Sequence, residues 1–311
     1  MGGKPDLSKG WFAINLFLLK NVFQLLKKTY FAWIGGSAQK MAAAISFYII
    51  FSMVPLFMIA LAIAGFCFGA DVAHHELFNR LADLIGESAA KSIESIVTVA
   101  AQHQSSGILA TIVAASTLLI GASGLFIELQ SALNSISNVK SVQGWRVWAF
   151  LKTRLLSFAM VLGIGFLLLV SLIASVAIAA LGNLLGGFFA GQELFLIIVN
   201  FLLSLGMVTL LFALIYKILP DVVVGWRAVT VGGFIAAVLF NVGKFLLGFY
   251  LTRSNIATLY GIPGSLMVTL LWVYCSSQIL FFGAEATGVY AASINGRLHP
   301  TKGSRFIAEA K

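Results

Sequence analysis

The feature that most constrains this chain is an uncharged apolar run near its C-terminal end. Residues Ser265 to Gly283 carry no charged side chain, and most of them are apolar. A helix needs about 20 such residues to cross a hydrocarbon layer of ~30 Å. The carboxylate of Glu285 follows directly, among small residues. A carboxylate placed there is stable only where it faces protein or water, so Glu285 is a candidate functional residue.

The composition extends this interpretation to the whole chain. Of the 311 residues, 60% are hydrophobic and only 10% are charged, whereas about 25% of the residues of a soluble domain are charged. The mean hydropathy is +0.99. The sequence therefore predicts an all-α, polytopic membrane helical bundle. Cys67 and Cys275 fall inside apolar runs and are predicted to be small buried side chains rather than a disulfide or zinc site.

Six apolar segments predict six membrane spans within a transmembrane domain over residues 41–290. Their approximate bounds are 41–69, 107–127, 155–181, 194–219, 228–251 and 264–287. Between the first two spans, residues 71–104 show apolar side chains three and four positions apart. This period predicts a helical loop of one or two amphipathic helices on the extracytoplasmic side. Residues 291–311 are predicted to be a basic cytoplasmic tail.

Residues 1–40 are predicted to be a cytoplasmic tail followed by an amphipathic helix in the membrane interface. Lys20, Lys27 and Lys28 fall on one polar arc of that helix, and aromatic and aliphatic side chains cover most of the rest. This pattern favours lysines at the lipid headgroups and inserted aromatic side chains. The alternative, a helix packed into the bundle, stays open.

The basic residues indicate the orientation. With six spans, sixteen lysines and arginines fall on the side of the two termini, three fall on the other side, and Lys244 lies within a span. The positive-inside rule then predicts that both termini are cytoplasmic. Because the bases lie beside the anionic inner leaflet, the net charge of +9 needs no nucleic-acid partner.

Two prolines are candidate kinks or hinges. Pro55 is predicted to bend the first span near its middle. The segment Tyr260 to Gly264, with Gly261, Pro263 and Gly264, is predicted to form a turn that follows a short loop and precedes the sixth span.

Polar side chains within the predicted spans are candidates for a substrate path. They are Asn200, Asn241, Lys244, Gln278 and Glu285. The first three are predicted to share a cavity between the fourth and fifth spans, and Glu285 is predicted to lie near the inner boundary, too far from Lys244 for an ion pair. Hydrogen bonds between helices, or outward extension of Lys244, are the structural alternatives.

No catalytic or metal-binding pattern is visible. His74 and His75 are adjacent and would point apart on a helix, so a metal site with Glu76 and His103 is not expected. The sequence has no zinc-protease, nucleotide-binding or serine-hydrolase motif. We therefore expect no catalytic residue, metal or cofactor.

Several short stretches together carry a family resemblance. They are Ala42–Tyr48, Phe51–Leu56, Leu133–Ile136, Tyr216–Pro220, Tyr260–Leu266, Leu271–Tyr274 and Gly283–Glu285. In this order and spacing, over about residues 20 to 295, the chain resembles the YihY/virulence factor BrkB family of bacterial inner-membrane proteins. The resemblance implies six spans, cytoplasmic termini and the inner (plasma) membrane. Members of this family have carried ribonuclease and serum-resistance labels, and transport or lipid translocation has been proposed for them.

The sequence favours a transporter or translocase of a lipid-like or amphiphilic substrate. The alternative is a non-transporting scaffold or envelope-integrity factor. Ribonuclease activity is not expected, since the cytoplasmic carboxylates are few and dispersed. The expected partners are membrane lipids and a lipid-like substrate, with no nucleic acid, and a homo-oligomer stays open.

Overall fold

Helices account for nearly all of the described chain. The computed structural model describes residues 22–102, 108–141, 192–254, 256–295, 299–300 and 304–306. The helices in these ranges are α1 over 22–35, α2 (Ala38–Phe68), α3 (Ala70–Ile85), α4 (Glu87–Gln102), α5 (Ile108–Ile136), α6 (Gln192–Ile218), α7 (Trp226–Ser254) and α8 (Ile256–Asn295). The strands are β1 (Val139–Ser141), β2 (Val222–Val223), β3 (His299–Pro300) and β4 (Ser304–Phe306).

Four of the described helices are long and apolar enough to cross a membrane. The candidate segments are Ala38–Met58, Ile198–Ile218, Trp226–Leu251 and Pro263–Ile294. They correspond to the predicted first, fourth, fifth and sixth spans, which confirms a multi-pass helical membrane protein. The predicted second span falls on α5, and the predicted third span lies outside the described residues. The full number of six spans therefore stays a prediction.

The last long helix begins earlier than the sequence suggested. A loop over 253–261 and a turn at Tyr260–Gly264 were expected, but α7 continues to Ser254 and α8 runs unbroken from Ile256 to Asn295, with Pro263 inside it. Pro263 is exposed at the start of the candidate span. Water there can bond the one carbonyl that the missing N–H leaves unpaired, so the helix tolerates the proline. Gly261 and Gly264 are likewise helical, and so is Pro55, within α2.

The predicted helical loop is a hairpin of α3 and α4. Gly86, at φ +93°, joins the two helices, and Gly69, at φ +91°, separates α2 from α3. Glycine adopts these positive φ angles without steric strain. A small cluster of Met53, Phe78, Ile93 and Val97 attaches the hairpin to α2, and α4 also packs along α8.

The larger core is formed by the other long helices. Helix α7 packs between α6 and α8, and α2 packs against both α5 and α8. The buried side chains of this larger core include Leu133, Phe212, Tyr216, Val229 and Phe281. The other faces of α6 and α7 expose large apolar side chains such as Phe201, Phe245 and Phe249. Such exposure suits contact with lipid tails rather than water.

Two short segments of the predicted basic tail form strands. Antiparallel pairing joins β4 to β1, with Val139 opposite Phe306, and joins β3 to β2, with Val222 opposite Pro300. One C-terminal segment thus pairs with the chain after α5 and with the chain between α6 and α7. We call the end of the bundle that carries these strands the tail end.

Candidate functional site: a carboxylate between α1 and α8

Gln278, Phe282 and Glu285 present one face of α8 to α1. Their spacing of four and three residues places them along a single stripe of a helix. Trp33 Nε1 donates a hydrogen bond to Gln278 Oε1 at 3.1 Å. The Trp33 and Phe282 rings meet edge to face, with centroids 6.2 Å apart. These contacts attach the C-terminal part of α1 to the middle of α8, and we call the space between them the α1–α8 crevice.

Glu285 lies at the end of this crevice, beside the break between α1 and α2. Helix α1 ends at Gly35, and α2 begins at Ala38. Glu285 Oε1 lies 3.5 Å from the point that a Cβ atom of Gly36 would occupy. Because Gly36 has no side chain, the carboxylate can approach the backbone of the break closely.

The polar groups of the crevice are incompletely paired within the described part of the chain. Glu285 is half-buried and makes no hydrogen bond or ion pair with any described residue. The Gln278 Nε2 atom is buried and has no hydrogen-bond partner among those residues. Burial of an unpaired carboxylate or amide is unfavourable. Two such groups on one face of a membrane helix are typical of a site completed by a ligand, an ion or water.

The other path candidates lie elsewhere. Asn241 Nδ2 donates to the carbonyl of Ala237, one turn earlier on its own helix, at 2.9 Å. Lys244 lies against the α3–α4 junction, where its Cγ is 3.8 Å from the Cβ position of Gly86. Asn200 is exposed on α6. The structure therefore brings together Gln278 and Glu285 of the five candidates.

The separation of Lys244 from Glu285 follows from how α7 and α8 cross. Gly232 of α7 meets Gly283 of α8, and the two helices are consecutive and antiparallel. Lys244, twelve residues beyond Gly232, is therefore level with residue 271 or so. Fourteen helical residues, or roughly 21 Å, separate that level from Glu285. The expectation that the two charges are too far apart to pair is consistent with this geometry.

Helix α1 exposes most of its surface. Lys27 and Lys28 are exposed, and Lys20 lies outside the described residues. Large side chains are also exposed along the helix: Val22, Phe23, Tyr30, Phe31 and Ile34. The interfacial role of the lysines stays a prediction, but Trp33 shows that α1 is also packed against α8.

Sequence reasoning missed a polar contact at the tail end. Asn134 Nδ2 donates to Asp221 Oδ2 at 2.9 Å, and the Asp221 backbone N–H donates to Asn134 Oδ1 at 2.7 Å. Gln130 Nε2 lies 3.4 Å from both carboxylate oxygens. We call these three residues the tail-end latch, since they join the end of α5 to the turn after α6. The signal in the sequence was a polar continuation of an apolar helix, which gave no indication of its partner.

Tyr216 forms a second contact that the sequence did not specify. It is fully buried, and its hydroxyl donates to the carbonyl of Leu280 at 2.8 Å. We expect Tyr216→Phe to lower the free energy of unfolding by about 1 kcal/mol, because one buried hydrogen bond is lost while the ring remains. Thermal unfolding in detergent measures this. Tyr250→Phe, on an exposed ring, is the matched control, and an equal effect of the two changes would contradict the prediction.

Within the described ranges, no group of three or more histidine, cysteine, aspartate or glutamate side chains is placed to hold a metal ion. His74, one of the histidines considered from the sequence, instead lies 3.6 Å from Glu94 and links α3 to α4. At the neighbouring exposed pair, the Lys91 ammonium donates to Glu87 and lowers the pKa of that carboxyl.

The helices and their polar crevice define a multi-pass helical membrane protein. The chain belongs to the virulence factor BrkB family, whose model matches residues 35–306. The resemblance noted from the sequence is thereby confirmed.

Curated relatives agree with this membership. A UPF0761 membrane protein of Mannheimia succiniciproducens is 28% identical over 256 residues, which cover 80% of this chain and 83% of the relative. The putative ribonuclease-like protein YfkH of Bacillus subtilis is 22% identical over 281 residues, which cover 89% of this chain and 96% of the relative. A UPF0761 membrane protein of Acinetobacter baylyi is 22% identical over 289 residues, which cover 91% of this chain and 63% of the relative. No solved structure matches the chain. The family has no established catalytic role.

Proposed function

We propose that this protein is a translocase of a lipid-like or amphiphilic substrate. The observation that supports the proposal is the half-buried Glu285 carboxylate, which lies within a candidate membrane span and has no ion-pair or hydrogen-bond partner in the described chain. A charge of this kind is retained in a membrane helix where it lines a wet or ligand-filled path. Gln278, two turns away on the same face, supplies a second polar group to that path.

The exposed surface of α1 supports an amphiphilic substrate. Its lysines suit anionic headgroups, and its exposed aromatic side chains suit the upper acyl region of a membrane. Because Trp33 connects α1 to Gln278, a lipid that reaches α1 from the membrane surface arrives beside the α1–α8 crevice. With both termini cytoplasmic, as the positive-inside rule predicts, this entrance belongs to the inner leaflet of the plasma membrane.

Lipid movement in proteoliposomes tests the proposal. Purified protein is reconstituted with headgroup-labelled lipids, and the rate of transbilayer movement is measured. We expect rapid movement with the unchanged protein and a decrease of about tenfold or more with Glu285→Gln, because that change removes the ionisable carboxyl group while it preserves side-chain shape. Glu87→Gln makes the same chemical change at an exposed residue of α4 and is expected to leave the rate unchanged.

One result would extend the proposed path, and another would contradict the proposal. An equal loss with Lys244→Ala would extend the path to the α3–α4 hairpin, against which Lys244 lies. A folded protein that moves lipid no faster than empty liposomes would contradict passive lipid movement. It would favour the alternative, a non-transporting envelope-integrity factor.

A further inference from the structure

The turn between α6 and α7 exposes apolar and basic side chains side by side. Candidate membrane segments end at Ile218 and begin at Trp226, so the turn lies at a membrane boundary. Val223 and Trp226 are 57% and 54% exposed, and the side chain of Ile218 is also exposed. Arg227, the next residue of α7, is exposed as well. We call these four residues, together with Lys217, the turn surface.

Lys217 is held in a defined position on the turn surface. Its ammonium group donates a hydrogen bond to the carbonyl of Val224 and lies 5.7 Å from the centre of the Trp226 ring. Both groups are uncharged, so neither neutralises the lysine. An ammonium group has three N–H donors, and the bond to Val224 uses one of them. Neither Lys217 nor Arg227 forms an ion pair with any residue that the structure describes.

The acidic residue of the turn has other partners. Asp221 is bound by Asn134 of α5 in the tail-end latch. The strand register also places two basic residues, Lys140 and Arg305, opposite each other at the same end of the bundle. Like charges at opposed strand positions repel each other, and a nearby anion would relieve that repulsion. The turn surface and its surroundings are therefore complementary to an anion.

We propose that the turn surface binds the headgroup of an anionic phospholipid. The phosphate oxygens accept hydrogen bonds from Lys217 and Arg227, which supply only donors. Trp226 contacts the region between the headgroup and the acyl chains, where indole rings are enriched in membrane proteins. Val223 and Ile218 extend this contact toward the acyl chains.

The position of the turn surface favours a lipid over a soluble anion. It lies at the depth where two candidate membrane segments end, which is the depth of the headgroups. With both termini cytoplasmic, as the positive-inside rule predicts, the tail end meets the inner leaflet, whose anionic lipids attract basic residues. The inference does not depend on the proposed function, since a lipid bound here is a fixed partner rather than a transported substrate.

Calorimetric titration of the full chain in a nonionic detergent tests the inference. The probes are dihexanoyl phosphatidylglycerol, its phosphatidylcholine counterpart, glycerol phosphate and hexaglutamate. We expect phosphatidylglycerol to bind at least tenfold more tightly than phosphatidylcholine, whose headgroup has no net charge. Arg227→Gln is expected to weaken phosphatidylglycerol binding about fivefold, and the double change with Lys217→Gln about twentyfold, from the typical attraction of one basic residue to an anionic membrane surface.

Arg253→Gln is the matched control. Arg253 is exposed near the other end of α7 and lies 4.2 Å from the centre of the Phe249 ring. It therefore tests whether any exposed arginine beside an aromatic ring is sufficient, and Arg253→Gln is expected to preserve phosphatidylglycerol binding. Equal binding of the two lipids, or equal losses in Arg227→Gln and Arg253→Gln, would overturn the inference.

The two soluble probes test the assignment to a lipid. Glycerol phosphate that binds as tightly as phosphatidylglycerol would overturn it in favour of a soluble phosphate, and tighter binding of hexaglutamate would overturn it in favour of an acidic peptide. Selective lipid binding without transbilayer movement would contradict the proposed translocase alone. Transbilayer movement combined with equal affinity for the two lipids would contradict only the inference about the turn surface.

Discussion

Gly232→Ala is expected to destabilise the bundle by about 1–3 kcal/mol, although it adds a single methyl group. An added Cβ at this position would overlap Thr287 Oγ1 and lie 2.6 Å from the carbonyl oxygen of Gly283. Thr287 cannot simply rotate away, since its hydroxyl donates to that same carbonyl at 2.9 Å. The Gly283 carbonyl belongs to the backbone of α8, so relief of the overlap requires the two helices to separate.

The same contact is equally close when viewed from α8. An added Cβ at Gly283 would meet the Tyr216 hydroxyl, lie 2.7 Å from the Cβ atom of Ala236 and lie 3.0 Å from the carbonyl oxygen of Gly232. Gly232 and Gly283 therefore face each other where the backbones of α7 and α8 approach closely. Small residues commonly allow membrane helices to approach in this way.

Equilibrium unfolding in mixed micelles measures the effect of Gly232→Ala, with Gly206→Ala as the control. No atom lies within 4 Å of a Cβ added to Gly206 on α6. Alanine there should be neutral, or should stabilise the helix by up to about 1 kcal/mol, because alanine favours a helix more than glycine does. Equal stabilities of the two variants would show that α7 and α8 do not cross at the glycine pair.

The sequence predicted the helical membrane class well because that prediction depends only on local composition. Uncharged runs as long as Ser265 to Gly283 satisfy the length and solvation requirements of a span regardless of which helices surround them. The two helices of the α3–α4 hairpin were also predicted from a local pattern, the recurrence of apolar side chains at three and four positions. The predicted turn at Tyr260–Gly264, and with it the predicted start of α8, was wrong. Pro263 and its neighbouring glycines are strong turn formers in soluble proteins. In this helix, the proline instead lies at the exposed start of the membrane segment.

The candidate site was predictable only in part. Glu285 and Gln278 attracted attention because polar side chains are rare in apolar helices. Their grouping with Trp33 and Gly36 depends on where α1 packs, and no local pattern encodes that contact. Asn241 was a candidate for the same reason, but its amide donates a hydrogen bond to a backbone carbonyl of its own helix. The sequence does not distinguish a polar group that bonds its own backbone from one that faces a neighbouring helix.

Asn134→Ala is expected to lower the free energy of unfolding by about 2–3 kcal/mol. Asn134 is buried, and its amide both donates to the Asp221 carboxylate and accepts from the Asp221 backbone N–H. Hydrogen bonds to charged groups contribute about 1.5–3 kcal/mol, and alanine would also deprive the Asp221 backbone N–H of its Asn134 acceptor. Alanine would remove both bonds, and the longer contact of Gln130 with the carboxylate, at 3.4 Å, would remain.

The contact has a large effect because it connects segments that are far apart in sequence. Asn134 lies in the last turn of α5, whereas Asp221 lies in the turn between α6 and α7, immediately before β2. Strand β2 in turn pairs with the C-terminal β3, and β1, just beyond Asn134, pairs with β4. Loss of the latch should therefore loosen the C-terminal strands as well, and amide hydrogen exchange should rise at His299 and at residues 304–306 in Asn134→Ala.

Asn241→Ala is the matched control for this change. It removes the same side chain from another membrane helix, but the Asn241 amide bonds only a carbonyl of its own helix among the contacts described, so the expected loss is below about 1 kcal/mol. A double-mutant cycle with Asp221→Ala then isolates the latch, because the loss caused by Asp221→Ala should be smaller once Asn134 is absent. If the two losses were instead additive, Asn134 and Asp221 would stabilise the protein independently, and the tail end would be held together by its strands and apolar core.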